Sequence, residues 1–114
     1  MTLIYRIQPE NFDREVMAET RPVLVLCMPR DDQFPQQLKI IEEIAANHDR
    51  EIKVGLVQEE FIEAFKKKYL VIGTPTILIL EGGKEKGRIL GLANGEMLTD
   101  LIANSKRPFL PEKA

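Results

Sequence analysis

The residues best suited to chemistry lie in one short stretch, residues 24–35, with the sequence LVLCMPRDDQFP. It holds the single cysteine of the chain, Cys27, and two adjacent carboxylates, Asp31 and Asp32, between an apolar run and an expected helix start. A thiol becomes a good nucleophile when a helix N-terminus or a nearby positive charge stabilises its thiolate. Here aspartates occupy that favourable place, and Cys27 lies within the apolar run, where burial disfavours the thiolate. The stretch therefore predicts one shielded thiol and no dithiol.

Other site chemistries are poorly supported by the remaining residues. Paired catalytic carboxylates need different environments and metal sites need further ligands, so we predict that Asp31 and Asp32 cap the following helix. His48, the single histidine, is expected on the surface far from Cys27, which argues against a Cys–His pair. Cysteine, histidine and carboxylates cluster at no metal-ligand spacing, and Gly82-Gly83 is a hairpin rather than a phosphate loop. We therefore predict no metal and no cofactor.

Composition predicts a single globular domain. The 114 residues fit one core, and 44% apolar with 30% charged residues is typical of a soluble protein. The formal net charge of -2 gives no electrostatic case for nucleic acid or for an anionic membrane surface. No apolar run approaches the roughly 20 residues that cross a bilayer, and the first residues do not look like a signal peptide. We expect a cytoplasmic protein that binds neither nucleic acid nor membrane.

Hydrophobic periodicity predicts the order β-α-β-α-β-α-β-β-α over residues 1–105, followed by an extended C-terminal tail over residues 106–114. The continuously apolar run Val23–Met28 is typical of a central strand that is covered on both faces. A helix is predicted from Phe12 with Asn11 as its cap, and another from Phe34. The other predicted elements are strands at 4–7, 52–57, 76–80 and 88–91, a hairpin turn at 81–84, and helices around 61–69 and 95–104. The last helix is expected to bury four residues, Met97, Leu98, Leu101 and Ile102.

This order of elements, with Gly73-Thr74-Pro75-Thr76 ahead of an apolar strand, resembles the thioredoxin family. The similarity covers roughly residues 10–105. It extends to the helix segment LKIIEEIA at residues 38–45, to Lys68-Tyr69 and Val71, to the hairpin at residues 81–84, and to Gly91. The resemblance implies a thioredoxin-like α/β fold, a central mixed β-sheet flanked by helices. It also implies that Pro75 is cis and faces the helix start.

The same register places the family's Trp-Cys-Gly-Pro-Cys motif on Arg30-Asp31-Asp32-Gln33-Phe34. Both cysteines are replaced, with Asp31 at the nucleophile and Phe34 at the resolving thiol. Three further family residues, a buried proton-handling carboxylate, a helix-kinking proline and a tryptophan, are replaced by Val25, Lys39 and Cys27. The resemblance thus implies a retained scaffold and an altered dithiol apparatus, so we do not expect a competent disulfide oxidoreductase.

Three functional hypotheses follow, and we place binding first. The first is a redox-inactive thioredoxin-like protein that acts as a chaperone or assembly module. Its expected binding surface for a protein or peptide partner comprises Arg30, Asp31, Asp32, Gln33, Phe34, Gly73, Thr74 and Pro75. The alternative is a monothiol redox protein in which Cys27 exchanges disulfides, with Arg30 lowering its pKa. A third, weaker hypothesis is a domain of a larger assembly that attaches through Pro108–Pro111. The oligomeric state stays open.

Phe34 has two interpretations. With Met28 and Pro29 it would place apolar surface beside the Thr74-Pro75 loop, which gives a shallow groove for an extended peptide. Alternatively, Phe34 is buried and covers one end of the core. The proline loop is likewise explained by partner binding and by the needs of the fold.

Overall fold

The computed structural model describes residues 4–106 and shows a five-stranded mixed sheet flanked by helices. The strands are β1 (Ile4–Ile7), β2 (Val23–Cys27), β3 (Lys53–Val57), β4 (Thr76–Glu81) and β5 (Lys84–Leu90). The helices are α1 (Phe34–Asn47), α2 (Ile62–Tyr69) and α3 (Gly95–Ser105). The sheet order is β1-β3-β2-β4-β5. Strand β3 pairs in parallel with β1 and with β2, and β4 pairs antiparallel with β2 and with β5. The predicted α/β fold class is confirmed, and the architecture is compatible with a thioredoxin-like fold.

Strand β2 lies at the centre of the sheet and all five of its residues are buried. Successive side chains of a strand point to opposite faces, so β2 contributes to two separate layers. Val25 and Cys27 pack in the layer that contains Phe65 of α2, whereas Leu24 and Leu26 pack in the layer covered by α1 and α3. Because both faces are covered, the strand is apolar throughout instead of alternating, as the sequence predicts.

The connection between β1 and β2 differs from the predicted helix. It contains a 3-10 turn and a five-residue π-helical turn, at Pro9–Asn11 and Asp13–Met17. Asn11 does not cap a helix at Phe12. Its side-chain oxygen accepts the Gln8 N–H at 2.9 Å, and its side-chain amide donates to the Arg6 carbonyl at 2.8 Å. The prediction was wrong because Pro9 begins the first turn, and Asn11 therefore bonds backwards along the chain.

Helix α3 begins as its sequence indicates and buries a narrower face than expected. The Asn94 side chain accepts the Met97 N–H at 2.8 Å and so caps the helix. Leu98 and Ile102 are buried and Leu101 is partly buried. Met97 is 40% exposed, so its expected burial is wrong. With 3.6 residues per turn, Met97 lies about 100° around the helix from Leu98 and outside the apolar stripe.

The hairpin between β4 and β5 follows the sequence signal at residues 81–84. Gly82 and Gly83 both have positive φ, 58° and 84°, which the tight two-residue turn between twisted strands requires. No helix between residues 4 and 106 is long and apolar enough to cross a bilayer. The tail from residue 107 onward, including Pro108–Pro111, lies outside the described residues, so the predicted domain limits stay predictions.

Candidate functional site

Two segments that the sequence assigns to one binding surface lie at the same end of the sheet. Cys27, the last residue of β2, is the antiparallel partner of Thr76, the first residue of β4. The chain that leaves β2 and the chain that enters β4 therefore meet at this end. We call residues 30–34 the α1 turn and residues 73–75 the proline loop. The topology brings these segments together although they are distant in sequence.

The prediction that Asp31 and Asp32 cap α1 is wrong, because Gln33 takes the cap position and the Asp31 side chain bonds within the turn that precedes the helix. The Asp31 side chain accepts the Gln33 N–H at 3.0 Å and the Asp31 carbonyl accepts the Phe34 N–H at 3.1 Å. Helix α1 begins at Phe34, with Gln33 at the cap position and no cap bond from the Gln33 side chain. Asp31, Asp32 and Gln33 are all exposed. The turn therefore presents two carboxylates to solvent at the positive end of the helix dipole.

Arg30 fixes the α1 turn against the end of β3. Its guanidinium donates to the Met28 carbonyl at 2.8 Å and to the Val57 carbonyl at 3.1 Å. The Arg30 backbone N–H donates to the Glu59 carboxylate at 3.1 Å. The guanidinium also lies over the Phe34 ring, 4.6 Å from its centroid. The sequence gives no sign of the contact with Glu59, because a contact between residues so distant in the chain leaves no local signal.

The proline loop is held at both ends and is exposed in its middle. The Thr74–Pro75 peptide bond is cis. The Thr76 hydroxyl donates to the Gly73 carbonyl at 2.6 Å, and the Gly91 N–H donates to the Pro75 carbonyl at 2.8 Å. Thr74 is exposed, whereas Gly73 and Pro75 are half-buried. The loop therefore presents a fixed backbone to solvent beside the α1 turn.

Cys27 is shielded from solvent and is poorly suited to thiolate chemistry. Its side chain is 0% exposed and lies in an apolar layer. Burial raises the pKa of the Cys27 thiol to about 11; Lys66 and Arg30 lower that pKa by smaller amounts, and Glu63 raises it further. Arg30 thus acts in the direction that the monothiol hypothesis requires, but desolvation outweighs it. At neutral pH the folded protein keeps Cys27 as a thiol.

The apolar surface beside the proline loop is smaller than expected. Met28 is 0% exposed and packs in the layer beneath α1 and α3, so its expected place on the groove surface is wrong. The reason is that the Met28 side chain points to the same face of the sheet as Leu24 and Leu26, which α1 and α3 cover. Phe34 is partly buried against the same layer and is partly covered by Arg30. Phe34 is therefore neither fully buried in the core nor fully exposed on the surface.

A buried amide at Gln37 adds a contact to this end of the molecule. Gln37 is 2% exposed; its Nε2 donates to the Ala93 carbonyl at 2.9 Å, and its Oε1 accepts the Ala93 N–H at 2.8 Å. These two hydrogen bonds hold the segment after β5 against α1. The segment borders a shallow cavity of about 290 Å³ between α1 and α3. The available signal was a polar residue on the apolar stripe of α1, one turn before Ile41.

His48 lies far from the α1 turn, and the residues from 4 to 106 contain no group of side chains suited to holding a metal ion. His48 follows α1 at its C-terminal end and is half-buried, with Nδ1 3.3 Å from the Glu51 carboxylate. At 1.5 Å per residue, the length of α1 places His48 about 20 Å from the α1 turn. Between residues 4 and 106, no three histidine, cysteine or acidic residues are grouped in a way that could hold a metal ion.

Comparison with known proteins agrees with this architecture. The chain is 27% identical over 104 residues to a thioredoxin of Rickettsia bellii (strain RML369-C), and the match spans 87% of this chain and 95% of the relative. No protein-family model matches the chain. Similarity over nearly the full length of both chains, together with the five-stranded mixed sheet, supports a thioredoxin-like fold. The present chain has one cysteine in 114 residues.

Proposed function

We propose that this protein is a redox-inactive thioredoxin-like protein that binds a protein or peptide partner through the α1 turn and the proline loop. The observation that carries the proposal is the state of the cysteine. Cys27 is fully buried with its pKa raised to about 11, while the exposed start of α1 holds Asp31 where the resemblance puts the nucleophile. A chaperone or assembly role suits a site that keeps its surface and lacks a reactive thiol.

The polar groups of this surface are available to a partner. Among residues 4–106, no ion pair engages Asp31 or Asp32, and both side chains are exposed. Thr74 is exposed on a loop whose backbone is held by hydrogen bonds at Gly73 and Pro75. A rigid exposed backbone suits an extended peptide, because little conformational entropy is lost on binding.

Insulin reduction tests the redox half of the proposal. The natural protein should show no catalytic reduction, whereas the double variant Asp31→Cys/Phe34→Cys should gain it. The reason is that a thiol at the start of α1 would lie where the helix dipole stabilises a thiolate. The single variant Asp31→Cys is the matched control, because it has the exposed thiol without a resolving one. Catalytic turnover by the natural protein would contradict the proposal.

Affinity capture with quantitative mass spectrometry tests the binding half. The protein should retain a defined partner that the double variant Phe34→Ser/Thr74→Lys loses by at least about tenfold, a loss of about 1.4 kcal/mol in binding. The control is Met17→Ser, which changes a half-exposed apolar residue beside the hairpin, at the opposite end of β4. Equal capture by all three proteins contradicts the proposed surface.

The similarity to a protein named thioredoxin favours a second candidate, a monothiol redox role for Cys27. In that reaction the Cys27 thiolate would attack glutathione disulfide, forming a mixed disulfide and releasing one glutathione thiolate. Incubation of the folded protein with glutathione disulfide, followed by intact-mass measurement, separates the candidates. The binding proposal predicts no adduct until denaturant is added, and the monothiol role predicts an adduct in the native state.

A further inference from the structure

An exposed apolar patch lies next to the proline loop, on the connection between α2 and β4. Leu70 is 79% exposed and Ile72 is 85% exposed, the two most exposed large apolar side chains between residues 4 and 106. Val71 between them is 6% exposed and packs in the core. The chain is therefore anchored at Val71, and both of its neighbours project outward.

The backbone at Leu70 is unfavourable for leucine. Leu70 has φ 56° and ψ 46°, and no other non-glycine residue between residues 4 and 106 has a positive φ. This left-handed conformation at a helix end is ordinarily taken by glycine, because a Cβ atom is strained there. Because the Leu70 side chain is so exposed, it contributes little hydrophobic stabilisation to the core. The stability of the fold therefore does not explain a leucine here, and strain at an exposed position points to a binding role.

Hydrogen bonds hold the patch in one conformation. The Arg88 guanidinium donates to the Tyr69 carbonyl at 2.7 Å and to the Leu70 carbonyl at 3.3 Å. Arg88 is itself held by the Glu85 carboxylate at 2.6 Å. The Val71 N–H donates to the Lys66 carbonyl at 2.8 Å. Because the displayed segment is already fixed, a ligand that binds it does not have to order it.

The rim of the patch is positively charged. A shallow cavity of about 330 Å³ is lined by the patch residues together with Glu63, Lys66 and Lys67. Lys66 approaches Glu63 at 3.6 Å, and such exposed pairs are weak. Lys67 is exposed and makes no ion pair with the described part of the chain. Two lysines against one glutamate favour an acidic ligand.

We propose that Leu70, Ile72, Lys66 and Lys67 dock an extended peptide segment in which apolar side chains alternate with carboxylates. The apolar side chains of the segment contact Leu70 and Ile72, and its carboxylates face the lysines. The patch runs directly into Gly73–Pro75, so one extended segment can cover both it and the proline loop. The inference rests on the proposed binding function and adds the chemistry of the partner.

Three synthetic twelve-residue peptides test this inference, with leucine alternating with aspartate, with lysine or with serine. Binding is followed by fluorescence anisotropy and by backbone amide shifts of the full-length protein. We expect the aspartate peptide to bind at least about tenfold more tightly than the lysine peptide. We also expect its affinity to fall as salt rises, with the largest amide shifts at residues 66–73.

Four variants locate the contact. Ile72→Ser and Lys67→Glu should each weaken binding of the aspartate peptide by at least about tenfold, and Met17→Ser should leave it unchanged. Leu70→Gly should weaken binding by about fivefold while the thermal midpoint stays the same or rises, because glycine relieves the backbone strain. This separates a binding role of Leu70 from a structural one.

Several outcomes would overturn the inference. These are equal affinity for the aspartate and lysine peptides, no binding of any peptide, or binding that is insensitive to Ile72→Ser and Lys67→Glu. Self-association that Ile72→Ser abolishes would also overturn it, since a second copy would then be the ligand. If Phe34→Ser/Thr74→Lys abolishes partner capture while the patch variants do not, the docking inference fails and the proposed function stands. If neither set affects capture, both fail.

Discussion

The two ends of β2 use charged side chains in opposite ways. At the start of β2, Lys53 is buried and its Nζ is paired with Glu15, with Glu19 3.6 Å away, while Arg21 binds Glu19 at 2.8 Å. At the far end, Arg30 is bound by carbonyls and an aromatic ring, and the carboxylates of the α1 turn are exposed. The charges at the start of β2 are paired within the fold, whereas the carboxylates of the α1 turn are left for solvent or a partner.

This difference separates stability from function. Buried, mutually paired charges are costly to disrupt, because removing one partner leaves the other without compensation. Exposed charges contribute little to the free energy of folding, so they can bind a ligand or be substituted without loss of stability. The end of the sheet that holds the α1 turn and the proline loop is accordingly where substitutions should change binding more than stability. The following experiments test that division, in order of decreasing effect.

The largest effect is expected for alkylation of Cys27. Because its pKa is raised to about 11, the thiolate fraction at pH 8 is about 0.001, against roughly 0.2 for an ordinary thiol. Iodoacetamide should therefore react roughly 200-fold more slowly with the folded protein than with the same protein in urea. The native rate should rise about tenfold per pH unit between pH 8 and pH 10. Native and denatured rates within a factor of ten would contradict the shielded state.

Replacement of Lys53 by methionine should cause the largest loss of stability among these variants. Lys53 is 5% exposed, and its removal leaves the exposed Arg14 as the remaining cation paired with Glu15, which should cost about 3 kcal/mol in the free energy of unfolding. Urea denaturation measures it, with Lys67→Met as the exposed control, expected within about 0.5 kcal/mol of the natural protein. The double variant Lys53→Met/Glu15→Leu should recover most of the loss. A small effect of Lys53→Met would remove the contrast between the two ends of β2.

Acid should weaken the same network through Glu19. The hydrogen bond from Arg21 is the main cause that lowers the pKa of Glu19 from 4.5 to about 2. A folded pKa below the unfolded one means that the contribution is complete above about pH 4.5 and is lost as pH falls toward 2. Solvent screens part of it, so about 1–2 kcal/mol should disappear over this window. Urea unfolding at pH 7, 4 and 3 should show this loss in the natural protein and a smaller one in Glu19→Gln. Parallel pH profiles for the two proteins would contradict it.

The sequence predicts most of the fold because its main signals are local. The apolar run of β2, the glycines of the hairpin and the periodicity of α1 each depend on neighbouring residues. The site was less predictable, because its contacts join distant residues, as when Glu59 accepts the Arg30 N–H or Gln37 clamps Ala93. Such contacts are decided by packing, and the sequence marks them only by a polar residue on an apolar face.

The same limit explains the two errors in side-chain burial. Met28 is expected on the groove surface because it lies near the proline loop in the predicted fold, and Met97 is expected in the core because it is apolar. Met28 instead packs with Leu24 and Leu26 on the face of the sheet that α1 and α3 cover, whereas Met97 is exposed because of its angle around α3. Orientation within an element, not residue type, decides which apolar side chain reaches the surface.

The smallest effect on stability is expected at the α1 turn itself. Asp31 makes one side-chain bond, to the Gln33 N–H, and its neighbour Asp32 makes none among the described residues. Asp31→Ala should therefore cost about 0.5–1 kcal/mol, typical of one lost side-chain hydrogen bond, and Asp32→Ala less. The double variant Asp31→Ala/Asp32→Ala should remain folded by circular dichroism yet lose partner capture, with Asp13→Ala as the exposed control. A loss of stability comparable to that of Lys53→Met would show that the two ends of β2 do not differ. Unchanged capture by a folded double variant would mean that these carboxylates contribute neither to stability nor to partner binding.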